Sequence, residues 1–175
     1  MIITSKKEAI DKILQQEIVA LFQESSEYGP RALGNRSLLF DPRNKNGKDI
    51  VNTIKKREWY RPFAGTVLLE HARDWFKMGT IKESPYMSYA IPVQENKKNI
   101  ISSITHVDGT CRIQTLTRKQ NKNFYDLIEL FYQQTQVPIL LNTSFNLAGE
   151  TLVETKEDAL NTLKKSNINY LYLPN

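Results

Sequence analysis

This 175-residue sequence has a single cysteine, Cys111, and two histidines, His71 and His106. One thiol cannot form an internal disulfide, which fits a reducing, cytoplasmic setting. With only two histidines, a histidine-based metal centre is not expected, and no metal site is assigned. No run of 18 or more apolar residues occurs, so no transmembrane helix is expected. The opening MIITSKKEAIDKIL carries an acid at position 8 and helical spacing, unlike a signal peptide. Also missing are the GxSxG nucleophile elbow, the P-loop and the GxGxxG fingerprint. Serine-elbow chemistry and nucleotide binding through those two folds are therefore unsupported. Repeats, low-complexity tracts and linkers are absent too, and residues 1–175 read as one domain able to bury its own core.

What is present is positive charge in special places. Lys plus Arg number 24 against 19 Asp plus Glu, a net charge of +5. That excess favours anionic ligands without naming nucleic acid. The lysines read mostly as solvated faces. The arginines sit in Gly, Pro and aromatic contexts, beginning with EYGPRALGNRSLLFDPR at 27–43, which gathers Arg31, Arg36 and Arg43 around two glycines, Gly29 and Gly34. Guanidinium groups match phosphate and carboxylate oxygens, and glycine lets backbone N–H groups approach a ligand. A basic site for a small phosphorylated or carboxylated molecule is the first expectation.

Residues 5–23 show helical spacing, opened by a Ser5/Glu8 capping box and giving way to a short strand at IVALF. Strands are expected at 36–40, 63–70, 87–93, 101–107, 111–117, 138–141 and 168–173, with 101–107 and 111–117 forming a hairpin across Asp108-Gly109. Helices are expected at 47–56, 121–135 and 155–166, with a short helical turn at 71–77. This mixture predicts an α/β (α+β) fold, a mixed sheet covered by helices.

Further segments carry chemistry. In KKREWYRPF at 55–63, cations lie beside aromatics that limit their access to water, so Lys55, Arg57 and Arg61 read as ligand contacts and Lys56 as a helix end. In HVDGTCRIQ at 106–114, strand alternation puts Arg112 and Gln114 on one face and Cys111 and Ile113 on the other. His106 reads either as a pocket wall or as structural. In PILLNTSFN at 138–146, a buried strand runs into small hydrogen-bonding groups, where open sheets commonly bind ligands. Ser144 and Asn146 read as site residues, and Thr143 as either a site residue or a turn cap. The segment Ser84–Met87 reads as a pocket-lining loop. Fixed cations without a nucleophile suit a site that aligns substrates and stabilises charge as a bond to phosphorus or carbonyl carbon breaks.

Four stretches, EYGPRALGNRS from Glu27, KKREWYRPFAG from Lys55, HVDGTCRIQTL from His106 and PILLNTSFNLAGETLV from Pro138, resemble the carboxyl-terminal, YrdC-like domain of the NodU and cephalosporin carbamoyltransferases. The resemblance implies a twisted open sheet with a basic concave site. It implies handling of carbamoyl phosphate and ATP, the latter with Mg2+, to give carbamoyl adenylate and pyrophosphate. It further implies a Kae1-like partner, whose domain lies outside this sequence, that passes the carbamoyl group to an acceptor hydroxyl. By motif position, Arg31, Lys55 and Arg112 are the catalytic candidates. Arg36, Arg57, Arg61, Gln114, Asn142, Thr143, Ser144 and Asn146 are the substrate-binding candidates.

The sequence departs from the family pattern at Gln23-Glu24-Ser25-Ser26, at Gly65 and at Thr151, none of which removes a leading cation. Two alternatives remain open. One is a non-catalytic module holding RNA or a nucleotide, disfavoured by the lack of a basic tail. The other is a docking fragment, favoured by any exposed apolar patch on the first helix.

Overall fold

Residues 1–174 are described by a computed structural model. The helical spacing that opens the chain ends early. Ser5 accepts the Glu8 N–H and starts α1 (Lys6–Leu14), which buries Ala9, Ile10 and Ile13. Gln16 then takes a left-handed φ of 66° and breaks the helix. The strand expected at IVALF forms as β2 (Val19–Phe22), buried along its length. The apolar face of α1 packs on a later helix and strand and leaves no exposed patch for docking.

The chain continues through β3 (Arg36–Phe40), α2 (Gly47–Ile54), β4 (Ala64–Leu68), a short helix α3 (Ala72–Trp75) and β5 (Tyr89–Pro92). It closes with β6 (Thr110–Leu116), α4 (Lys122–Thr135), β7 (Ile139–Ser144), α5 (Lys156–Lys165) and β8 (Tyr170–Tyr172), which lies parallel to both β1 (Ile2–Ile3) and β2. The mixed sheet runs β1-β8-β2-β3-β7-β4-β6-β5. Its core is sealed by the predicted stripe on α4, where Phe124, Leu127, Ile128 and Phe131 are fully buried. Each such side chain contributes about 1.5–3 kcal/mol by leaving water.

One expected element is wrong. Residues 101–107 form turns, not a strand, and the partner of β6 is β5, with Ala90 opposite Arg112 and Ile91 opposite Cys111. The two buried isoleucines, Ile101 and Ile104, lie three apart, which suits a helical turn rather than alternation. The Ile104 N–H accordingly donates to the Ile101 carbonyl. Ile104 then packs over Gly65, where an added Cβ would lie 2.6 Å from the Ile104 Cδ1.

Candidate functional site

Strand β4 lies between β6 and β7, so Ala64 is flanked by Arg112 on one side and Asn142 on the other. Because β7 runs antiparallel to β3 and β4, its carboxyl end meets their amino ends, and β6, parallel to β4, brings its own amino end alongside. Two loops close over this point. The 27–36 loop brings Arg31, and the segment after α2 brings Lys55 and Arg57. That segment turns because Lys56 adopts a left-handed φ of 54°, which ends the helix between its two functional neighbours.

The result is a hollow in two connected parts. Its narrow centre, of about 90 Å³, is walled by Arg31, Arg57, Arg112 and the Asn142–Ser144 strand end. A wider part of about 690 Å³, bordered by Lys55, Arg61, Asn146 and Glu150, shares Arg57 and Ser144 with the centre. Among the described residues, Arg31, Arg57 and Arg112 form no ion pair. Burial pulls the Arg57 guanidinium down to about 10, with Arg61 and Arg112 adding to the fall. Arg112 is lowered by burial and then by Arg31. Like charges held together in a half-dry site are costly unless an anion joins them.

The unpartnered atoms agree. Nη2 of Arg57, Nε of Arg112 and Oδ1 of Asn142 are buried without a hydrogen-bond partner. Arg57 and Asn142 are each held through another atom. Arg57 Nε donates to Asn52 Oδ1 at 2.6 Å, and its guanidinium lies 4.3 Å from the Phe63 ring centre. Asn142 Nδ2 donates to Thr66 Oγ1 at 3.0 Å and the Ala32 carbonyl at 3.2 Å. Thr143 lines the same centre.

Lys55 occupies a different role from the ligand contact expected of it. Its ammonium is 3 % exposed and donates to the carbonyls of Ser144 (2.5 Å) and Asn146 (2.7 Å) and to Asn146 Oδ1 (3.0 Å). Its own carbonyl accepts the Ala148 N–H at 2.9 Å. Lys55 therefore fastens the 144–148 turn that carries Ser144 and Asn146. Burial, followed by Arg57, pushes its ammonium down to about 7. Within the turn, Ser144 Oγ donates to Asn146 Oδ1 at 2.7 Å.

Several expected contacts are placed elsewhere. Arg36 is 3 % exposed, and its guanidinium donates to the carbonyls of Gln23, Glu24, Asn35 and Glu154 while stacking on Phe22. Arg43 pairs with buried Asp41 at 2.6 Å, away from the hollow. Gly34 does not admit a ligand either, since an added Cβ would lie 2.2 Å from the Phe124 ring. Gln114 lies beneath the hollow's floor, donating to the Leu33 carbonyl and accepting from Thr66. Arg61 pairs with Glu58 at 2.7 Å on the exposed rim. His106 shares a hydrogen bond with the Phe63 carbonyl and supports that segment from outside the hollow. The Cys111 thiol is buried on the opposite face and pushed up to about 12 by burial.

Three positioning residues escaped the sequence reading. Asn52 holds Arg57 and donates to the carbonyls of Trp59 and Arg61. Glu27 Oε1 accepts the N–H groups of Leu33 (2.6 Å) and Asn35 (2.7 Å), which shapes the Arg31 loop. Thr66 links Asn142 to Gln114. A polar Asn beside Val51 on a helix's buried face was the one readable signal.

With this geometry in place, comparison with known proteins is direct. Residues 10–175 match the family model described as carbamoyltransferase C-terminus. Nodulation protein NolNO of Sinorhizobium fredii is 45% identical over 93% of this chain and 24% of its own length. The 3'-hydroxymethylcephem-O-carbamoyltransferase of Streptomyces clavuligerus is 38% identical over 81% of this chain and 26% of its own. The chain thus spans about a quarter of the length of these curated relatives. Among solved structures, full-length HypF in the phosphate- and nucleotide-bound form superposes with a TM-score of 0.71 at 18% identity, covering 99% of this chain and 25% of that one. P. abyssi Sua5 complexed with L-threonine gives 0.72 at 15% identity, covering 99% and 50%. The fold is the YrdC-like twisted mixed sheet, and the chain belongs to the carbamoyltransferase C-terminal family.

Proposed function

We propose that this chain binds carbamoyl phosphate and ATP in the arginine hollow and forms carbamoyl adenylate, which a Kae1-like partner delivers to an acceptor hydroxyl. The observation that carries this reading is the convergence of Arg31, Arg57 and Arg112 with the buried, unpartnered Arg57 Nη2, Arg112 Nε and Asn142 Oδ1. Cations without countercharge in a narrow cleft favour bound phosphate oxygens over water. The amide oxygen of Asn142 is an acceptor suited to the N–H of a carbamoyl group.

Balance requires water. Attack of water on phosphorus releases phosphate and carbamate from carbamoyl phosphate. A carbamate oxygen then attacks the α-phosphorus of ATP, with pyrophosphate leaving. The arginines hold oxygens whose charge builds at phosphorus, and the rigid floor keeps carbamate and nucleotide in line. Mg2+ would arrive on the nucleotide phosphates: Glu58 is engaged by Arg61, Glu150 is engaged by Lys165, and among the described residues no cluster of three His, Cys, Asp or Glu could hold a metal.

The test is pyrophosphate–ATP exchange with and without carbamoyl phosphate, in the chain alone and with a Kae1-like protein. Exchange that depends on carbamoyl phosphate supports the reading. A folded preparation that binds neither substrate and catalyses no exchange overturns it.

A further inference from the structure

Lys55 is a buried ammonium without a carboxylate. Among the described residues it forms no ion pair. Its three closest partners, the carbonyls of Ser144 and Asn146 and the Asn146 Oδ1, are neutral oxygens. The charged groups around it are mostly of its own sign. Its own segment brings Lys56, Arg57, Glu58 and Arg61, with Glu58 already paired to Arg61. The 144–150 turn brings Glu150, whose Oε1 is held by Lys165 of α5 and whose Oε2 accepts from the Leu147 N–H and the Thr162 hydroxyl. A buried charge in such company lacks a counter-ion. The wide part of the hollow, which Lys55 borders, is the space open to one.

The donor count makes the turn sensitive to a single proton. An ammonium has three N–H donors, one for each of those oxygens, whereas a neutral amine has two and a lone pair. Losing the proton leaves one turn oxygen without its donor. The oxygens concerned belong to Ser144 and Asn146, which line the wide part. The rest of the turn depends on the same two residues. Ser144 Oγ donates to Asn146 Oδ1 at 2.7 Å, and Asn146 Nδ2 donates to the Glu150 carbonyl at 2.8 Å. Burial, then Arg57, pulls the Lys55 ammonium down to about 7, so both of its forms are populated near neutrality.

We infer that Lys55 and the 144–150 turn form a proton-operated latch on the wide part of the hollow: the charged lysine fastens the turn beside a bound anion, the neutral lysine releases it, and each anion that binds brings in a proton. Lys55 is then a positioning residue that acts through Ser144 and Asn146. This rests on phosphate groups occupying the hollow, and adds what couples their arrival and departure to pH. The sign follows from charge. A dianion beside Lys55 supplies the missing countercharge and favours the ammonium. Above pH 7, where the unliganded protein has largely lost the proton, binding must restore it, so affinity falls as pH rises. Below pH 7 the proton is already in place and affinity levels off.

The experiment uses the full chain and inorganic sulfate, a dianion whose own charge is constant across the range. Isothermal titration at pH 8, in buffers of small and large ionisation enthalpy, should show uptake of most of one proton per sulfate. Affinity should fall about tenfold between pH 7 and pH 8.5, as linkage to one proton requires. In an NMR titration of the lysine side chains, saturating sulfate should move the Lys55 midpoint from near pH 7 to above pH 8. Lys55→Arg, charged throughout, should bind sulfate with no proton uptake and a flat pH profile. Sulfate binding without proton uptake, or with equal uptake in Lys55→Arg, overturns the latch and leaves the hollow as an anion site. So does a wild-type Lys55 midpoint unmoved by saturating sulfate, a result that does not depend on the variant folding. Absence of any sulfate and pyrophosphate binding overturns both the latch and the reading beneath it.

Discussion

Two groups of arginines in this sheet's surroundings have opposite fates. Where β2 meets β3, the two terminal nitrogens of Arg36 donate to four backbone carbonyls, with only its Nε left unpartnered, and just past β3 Arg43 is held by Asp41. At the meeting of β4, β6 and β7, Arg31, Arg57 and Arg112 form no ion pair among the described residues. The residue type is the same, and the partners within reach decide the role. An arginine whose donors are consumed internally braces the fold. One whose donors remain unpaired in a cleft is available to a ligand.

That contrast can be broken most directly by exchanging the two kinds of damage. Arg112→Ala should reduce carbamoyl-phosphate-dependent exchange by about 100-fold or more, as the loss of one fixed transition-state donor typically does, with a nearly unchanged melting temperature. Arg36→Ala should do the reverse. It strands buried carbonyls that each cost about 1–3 kcal/mol when unsatisfied, and a total of about 3 kcal/mol lowers the melting temperature of a domain this size by about 6–12 °C. Its folded fraction should still bind pyrophosphate. If Arg36→Ala kills binding without lowering stability, the division between the two groups is wrong.

Gly34 sharpens the same comparison, because it belongs to the bracing side. Its φ of +110° and the 2.2 Å approach of the Phe124 ring leave no room for a methyl group. Gly34→Ala should destabilise by about 2 kcal/mol from backbone strain and overpacking. Chemical denaturation would measure it, and an affinity change without a stability change would return Gly34 to the ligand side.

Lys55 stands between the groups: it is buried like Arg36 yet placed beside the hollow like Arg57. Its folded pKa of about 7 lies well below that of an unfolded lysine, about 10.4. Above pH 7 the folded form binds fewer protons than the unfolded form, so stability rises with pH across this window, by up to about 1.4 kcal/mol per unit for one proton. Below pH 7 the cost of the buried ammonium is fully present. The upper part of the window is opposed by Cys111, whose thiol ionises more readily unfolded than folded. Urea denaturation at pH 7 and pH 8.5 should show the rise in the wild type and its loss in Lys55→Met. A parallel slope in both proteins would place the titration elsewhere.

How much of this was legible in the sequence follows from where each signal resides. The α4 stripe, the strand at RSLLF and the strand running into NTS were readable because periodicity and local polarity fix them. Arg31, Arg57, Arg112 and Asn142, named from motif position, line one hollow. The fates of Arg36, Arg43 and Lys55 were not readable, because they depend on carbonyls and carboxylates delivered from elsewhere in the fold, as far as Glu154 for Arg36. The false strand at 101–107 had β-branched residues in plenty, yet its two buried isoleucines had helical spacing. Asn52 and Glu27 act through other residues: Asn52 stands outside the four motifs, and the stretch that opens on Glu27 does not show which N–H groups its carboxylate holds.

The smallest effect concerns the rim. Arg61 is about half exposed, and its partner Glu58 equally so, with 2.7 Å between them. Exposed pairs of this kind contribute about 0–1 kcal/mol to stability. Their charges act on a ligand mainly through solvent, where salt screens them. Glu58→Gln should therefore leave the melting temperature within a degree or two. It should also tighten ATP binding by a few-fold at low salt, because it frees Arg61 to face the hollow. Raising the salt toward 0.5 M should erase the gain. Arg57 and Arg112 are partly buried and so shielded from much of that screening, and the Arg112→Ala defect should persist at the same salt. If both effects vanish together, the interior and rim cations are one solvated patch, and the distinction drawn between answered and unanswered charge fails.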